Sequence, residues 1–215
     1  AARITVVGSL NMDLVVQMPA IPRPGETLLG GRFATFPGGK GANQAVAAAR
    51  LGARVTLIGR VGADSFGEQL LHLAQVEGIE TAHVGVDREN ATGVALITVD
   101  AQGQNSISVA SGANFALTAQ DVRRAWDQIG KVDLLVMPLE TPLETILTAA
   151  QLAKERQVRV ILNPAPAQEL AEDFLKIVDV IVPNERETEY LTGIEISNDE
   201  EALNAALSLL ARGVG

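Results

Sequence analysis

A chain of 215 residues with 47% apolar residues can bury a substantial core, and a net charge of −9 argues against a nucleic-acid partner. The absence of cysteine excludes disulfides, iron–sulfur clusters and Cys-ligated zinc, and His72 and His83 lack metal-ligand spacing. No apolar run is long enough to span a bilayer and the N-terminus enters a strand pattern directly, so a soluble, cytoplasmic protein is expected.

Arg3 to Gly8 reads as a short buried strand, and Gly8-Ser9-Leu10-Asn11-Met12-Asp13 sets Asn11 and Asp13 just past its carboxyl end. Leu14 to Met18 is β-rich. Pro19, Pro22 and Pro24 then interrupt the chain, and Glu26 to Phe36 reads as a bent strand around Gly30-Gly31. Pro37-Gly38-Gly39-Lys40-Gly41-Ala42-Asn43-Gln44 follows and opens an alanine-rich helix to Leu51. This stretch has two readings. It is a tight turn with Lys40 in solvent, or a helix entrance whose unpaired N–H groups, with Lys40 and Asn43, receive an anion or a hydroxylated ligand. It is not a P-loop, because GxxxxGK[ST] is absent.

Beyond the turn, Val55 to Gly59 reads as a strand, Asp64 as the cap of a helix to about Glu77, and Thr81 to Val86 as a further strand. Thr92 to Asp100 and Gln104 to Ala110 read as a hairpin. From Thr118 the pattern is regular. Thr118 and Asp121 form a capping box, Asp133 to Met137 is a strand, and Thr141 caps a helix with Glu144 in the box position. Val158 to Leu162 and Asp179 to Val182 are strands, with a helix from Leu170 to Ile177 between them. Asn184 opens a helix to Leu191, and Ser197 with Glu200 caps a last one to Ala211.

Alternating strands and helices predict a three-layer α/β/α fold with a mostly parallel central sheet. Segments 14–36 and 92–112 lack intervening helices and are expected to form one small antiparallel sheet, inserted as a lid in a core of 1–13, 37–91 and 113–215. The alternation stops at Gly213-Val214-Gly215 where another strand is expected, so the core reads as incomplete there. Ligands of open parallel sheets bind beyond the carboxyl ends of the strands. Polar residues stand at each exit: Asn11 and Asp13, then Glu140, Asn163 and Asn184, with the Gly38–Gly41 turn beside them. Each has a plain alternative. Asp13 reads equally as a solvated turn carboxylate, Glu140 as a surface residue, and Asn163 as a residue shaping the turn before Pro164. Asn184 with Glu187 reads as a helix cap, or as a pair that orders hydrated Mg²⁺ near phosphates.

GSLNMD at 8–13, PGGKGANQAVAAARLG at 37–52, TGVALITVD at 92–100, SGAN at 111–114, NPAPA at 163–167 and NERETEYLTG at 184–193 resemble the ribokinase group of the PfkB-type carbohydrate kinases, in order along the chain. The resemblance implies ATP-dependent phosphorylation of D-ribose at its 5-hydroxyl. It implies that Asn11 and Asp13 hold ribose hydroxyls, that Gly38, Gly39, Lys40, Gly41 and Asn43 line the sugar pocket, and that Glu140 meets the anomeric end. Asn184 would lie near the ATP phosphates and Glu187 would help hold Mg²⁺ through water. The lid would close over the sugar and form a homodimer contact. The family's GAGD aspartate, which takes the proton from the attacking hydroxyl, has no match in residues 1–215, and neither does the K⁺ site of the family's C-terminal part. No catalytic residue is therefore assigned, and the 215 residues alone are expected to be inactive. The alternatives are a kinase of another pentose or nucleoside, and a short sugar-binding remnant without catalysis. An NAD-dependent dehydrogenase fits poorly, because no GxGxxG follows any strand.

Overall fold

A computed structural model describes residues 1–215. In chain order the strands are β1 (Arg3–Val7), β2 (Asn11–Gln17), β3 (Arg32–Gly38), β4 (Arg54–Gly62), β5 (Val84–Asp87), β6 (Gly93–Val99), β7 (Asn105–Ala110), β8 (Leu134–Met137), β9 (Arg159–Leu162) and β10 (Val180–Ile181). The helices are α1 (Lys40–Arg50), α2 (Ser65–Val76), α3 (Ala119–Gln128), α4 (Leu143–Glu155), α5 (Glu172–Leu175), α6 (Glu185–Thr192) and α7 (Asp199–Ala211), and a 3₁₀ turn spans Gly112–Ala116.

The central sheet runs β10-β9-β8-β1-β4-β5, and its named pairs are parallel. Successive strand residues point to opposite faces. Val6 and Leu57 pack with Leu70 and Ala74 of α2, whereas Val7 and Ile58 join Trp126 of α3 and Ile146 of α4. Both faces are thus covered, which is why these strands read as unbroken apolar runs. The chain leaves β1 toward β4 on one side and returns to β8 on the other. The carboxyl end of β1 is therefore the topological switch point, where an open α/β sheet opens a crevice.

A second sheet has the order β3-β2-β6-β7. Here the sequence reading needs correction, because the sheet is mixed rather than antiparallel: β2 and β6 pair in parallel, Asn11 opposite Gly93. Both strands leave the core at the same edge and must run outward together. Only the flanking pairs, β2 with β3 and β6 with β7, are antiparallel. The bent strand expected from Glu26 begins only at Arg32, since residues 26–31 have no ladder partner.

Capping also departs from expectation at two helices. Pro142, not Thr141, is the N-cap of α4, and the Thr141 hydroxyl is buried without a partner. Asn198, not Ser197, caps α7 by accepting from the Glu201 N–H, while Ser197 donates its hydroxyl to Glu201. The capping boxes at Thr118 and Asn184 form as their sequences predict, and Asp64 caps α2.

Acidic pairs lock strand ends. The Arg3 guanidinium meets Asp133 at 2.7 Å and the Arg3 backbone N–H meets the same carboxylate at 2.9 Å, tying β1 to the start of β8. Hydrogen bonds from the Arg3 side chain, then its backbone, lower the Asp133 pKa to about 2. Asp87 is held lower still by the N–H groups of Asn90 and Glu89 and by Arg60. A depressed folded pKa contributes stability above the unfolded value, near 3.8, that is lost as pH falls through the folded value. The urea midpoint should therefore fall between pH 5 and pH 2, and Arg3→Gln should shrink that fall. An equal fall in the variant would show that the Arg3–Asp133 pair contributes nothing.

Candidate active site at the carboxyl ends of the strands

The Gly-rich turn stands against the exit of β1. Gly39 has φ +87°, a conformation that L side chains rarely adopt, and it turns β3 directly into α1. Gly41 packs so closely that a β-carbon there would lie 2.5 Å from the Gly8 carbonyl carbon and the Ser9 nitrogen. That approach decides between the two readings of the helix entrance. Gly39 offers no side-chain cap, so neighbours supply acceptors for the first-turn N–H groups. Lys40 N–H donates to Glu140 Oε2 (2.8 Å), Gly41 N–H to Ser9 Oγ (3.2 Å) and Ala42 N–H to the Ser9 carbonyl (2.8 Å). The expected free N–H groups are thus consumed inside the protein. The turn is closed by the side chain of Glu140 and by Ser9, and is not an open anion nest.

Ser9 is the hub and is fully buried. Its hydroxyl accepts from Gly41 and donates to Glu140 Oε2. Glu140 therefore spends one oxygen on capping α1 and keeps Oε1 without a protein partner. Sequence reasoning missed Ser9. Its signal was a small hydroxyl residue directly after Gly8 at a strand exit.

Asp13 lies across the same mouth. Its carboxylate occupies the space a β-carbon on Gly38 would need, and no protein donor hydrogen-bonds it. Burial, then the charge of Glu140, raise its pKa. Asn11 is 4% exposed, and its Oδ1 accepts from Asn114 Nδ2 at 2.7 Å, leaving its NH₂ without a protein partner. Lys40 makes no ion pair within 4 Å. The structure thus brings together Asn11, Asp13, Gly38, Gly39, Lys40, Gly41 and Glu140. They offer three unclaimed acceptor oxygens, on Asp13 and Glu140, and two unclaimed donors, the Asn11 NH₂ and the Lys40 ammonium. Acceptors and donors gathered on neighbouring residues suit a compact polyhydroxylated molecule.

Other predicted residues stand apart. Asn43 is exposed, its side chain has no hydrogen bond, and it borders a groove between α1 and α2 of about 370 Å³. Asn163 donates to the Val182 carbonyl at 2.9 Å and ties the ends of β9 and β10 together. Asn184 and Glu187 form a reciprocal cap: Glu187 N–H donates to Asn184 Oδ1 (2.8 Å), and Asn184 N–H and NH₂ donate to the Glu187 carboxylate at 2.9 and 3.0 Å. Each Glu187 oxygen keeps a lone pair beyond these bonds. Those lone pairs suit a metal-bound water better than a direct metal bond. No group of three or more His, Cys, Asp or Glu is arranged to hold a metal. Asn184 also borders a cleft of about 790 Å³ along β10, α6 and α7. β10 lies two strands from β8, or ~10 Å at ordinary strand spacing, and Glu140 follows β8.

Residues 1–215 match the pfkB family carbohydrate kinase profile. The chain belongs to the pfkB family of carbohydrate kinases. Within that family it is 46% identical over 211 residues to a ribokinase of Haemophilus influenzae, covering 98% of this chain and 69% of that protein. It is 40% identical over 212 residues to a deoxyribokinase of Salmonella typhi, again covering 98% and 69%. Among solved structures, the Arabidopsis thaliana ribokinase complexed with ribose and ATP aligns with a TM-score of 0.87 at 29% identity, over 100% of this chain and 70% of that one. The α/β/α fold and the kinase family read from the sequence both stand. This pfkB-family chain spans about 70% of the length of those relatives. None of its helices is long and apolar enough to cross a membrane.

Proposed function

We propose that these residues form the sugar-binding part and the front of the phosphate site of a cytoplasmic ribokinase, which transfers a phosphoryl group from ATP to O5 of D-ribose. The observation that carries this reading is the half-buried Asp13 carboxylate, which has no protein donor and faces Glu140 at the switch point of the sheet. A carboxylate accepts from two vicinal hydroxyls, and removing one of them leaves an oxygen unpaired. Asp13 therefore favours D-ribose over 2-deoxy-D-ribose, although relatives of both specificities match this chain.

In this reading Asp13 and the Asn11 NH₂ hold adjacent hydroxyls, Glu140 Oε1 takes the anomeric end, and the missing side chains of Gly38, Gly39 and Gly41 let the Asp13 carboxylate and the Gly8–Asn11 backbone close up around the sugar pocket. Lys40 lines the sugar pocket and balances the two carboxylates, whereas Asn43 borders the α1–α2 groove instead of the pocket. Asn184 meets the ATP phosphates, and Glu187 holds a water of Mg²⁺, the ion that neutralises phosphate charge when bound. K⁺ would act through residues outside 1–215.

The second sheet supports the lid role. Ladder partners share a face, so Asp13 lies on the same side as Phe36, Ala95 and Val109, followed outward by Val15, Ile97 and Ile107. Phe36, Ile107 and Val109 are all more than half exposed. An apolar face continuous with the sugar site excludes water when it closes, and a second copy of the chain would cover the rest of it as a homodimer.

The test is ADP release from ATP and Mg²⁺ with and without D-ribose. Residues 1–215 contain no GAGD aspartate, so they should release no ribose-dependent ADP on their own. Completed by the C-terminal part of a ribokinase relative, they should release it. Failure of the completed, folded protein with ribose, but turnover with another sugar, would favour a different substrate.

A further inference from the structure

Asn114 lies in the 3₁₀ turn just after β7, is 1% exposed, and stands behind Asn11 rather than at the surface of the site. Its hydrogen bonds nonetheless fix how Asn11 faces that site. The Leu10 N–H donates to Asn114 Oδ1 at 2.9 Å, so the Asn114 amide has only one workable orientation. Its NH₂ then points the other way, donating to the Leu10 carbonyl at 3.0 Å and to Asn11 Oδ1 at 2.7 Å. Asn11 must answer a donor with its oxygen, which turns its own NH₂ toward the crevice. Gly93 allows the pair to meet, because a β-carbon there would collide with both amides.

We infer that Asn114 is a positioning residue that makes Asn11 a hydrogen-bond donor, rather than an acceptor, toward the sugar; the inference rests on the sugar-binding reading above. Donor character matters in this site because the facing oxygens of Asp13 and Glu140 already supply the acceptors. A flipped Asn11 would place a third oxygen among them. The orientation comes from a turn at the root of the β6–β7 hairpin. The donor is therefore in place only when that root is packed on Leu10.

Side-chain amide NMR on the ¹⁵N-labelled 215-residue chain tests the orientation without a variant. The Asn114 NH₂ protons, both bonded in protein, should exchange slowly with solvent, and those of Asn11 rapidly until D-ribose is added. Rapid exchange at Asn114 would overturn the assignment. Calorimetry on Asn11→Ala, Asn114→Ala and the double variant tests the consequence. Each single change should weaken D-ribose binding about 10-fold, and the double no more than Asn11→Ala alone. A purely structural role predicts the opposite, a further loss in the Asn11→Ala background, and that result would overturn the inference. The melting temperature should fall in both backgrounds, since the Leu10 N–H loses its acceptor in each. If the folded parent binds no D-ribose, the sugar reading fails, and the exchange pattern alone then decides how the two amides are oriented.

Discussion

Asp13→Asn should abolish measurable D-ribose binding and at the same time raise the melting temperature of the free protein. The two effects share one cause. In the folded chain the Asp13 carboxylate is partly desolvated, sits beside Glu140, and has no protein donor. Its raised pKa means the folded state holds this proton more tightly than the unfolded state. The stability it contributes is present below the unfolded pKa and lost as pH rises through the folded pKa. At pH 7 the parent carries the full penalty, and a neutral asparagine of the same shape does not. The sugar needs the charge that destabilises the fold. Hydrogen bonds to a charged group contribute about 1.5–3 kcal/mol each; asparagine turns one acceptor into a donor that opposes the sugar hydroxyl and leaves the other uncharged, so binding should weaken about 100-fold or more. Affinity should also fall on acidification at a pH above the ordinary aspartate value of 3.8. A solvated turn carboxylate would behave differently: the substitution would leave both melting temperature and ribose binding unchanged.

Gly41→Ala should be the most damaging single-methyl change in the site. The added carbon would lie 2.5 Å from backbone atoms of Gly8 and Ser9, and neither can move without disturbing the exit of β1. Pushing α1 outward stretches three bonds together: Gly41 N–H to Ser9, Lys40 N–H to Glu140, and Ala42 N–H to the Ser9 carbonyl. Overpacking of this kind costs about 1–3 kcal/mol, and freed first-turn donors add to it. A fall of roughly 5–10 °C in melting temperature is expected, with ribose binding lost because Glu140 loses its anchor. Gly52→Ala is a useful control. Its φ is +87° but nothing lies within 4 Å, so strain acts there without a clash and ribose binding should persist. Gly41 is not among the positive-φ glycines, so its loss would come from the clash alone, and a Gly41→Ala loss no larger than that of Gly52→Ala would show that the close approach costs no more than local backbone strain.

Most of the architecture was legible in the sequence because it depends on local signals. Val6-Val7 and Leu57-Ile58 are apolar on both sides of the pleat, as a doubly covered strand requires. Thr118 and Asn184 carry complete capping boxes, and both form. Where a tertiary partner decides the outcome, the local signal misled. Thr141 has the chemistry of a cap, but Pro142 takes the position and the hydroxyl is buried. The direction of β2 against β6 depends on where both strands leave the core, which no window of sequence contains. The site shows the same divide. Asn11, Asp13 and Glu140 were visible as polar residues at strand exits. Ser9 and Asn114 were not, because each acts across about a hundred residues or more of chain, on Glu140 and on Asn11. The Gly-rich turn looked like an open set of N–H donors only while its acceptors were out of view.

On the proposed reading, Asn11, Asp13, Lys40 and Glu140 suffice to bind the sugar without nucleotide. Isothermal titration of D-ribose into the folded chain, without nucleotide, tests it most directly. Saturable binding at one site per chain, lost in Asp13→Asn and weaker for 2-deoxy-D-ribose, is the predicted result. A folded parent that gives no binding heat, or that binds ribose equally well after Asp13→Asn, would contradict it.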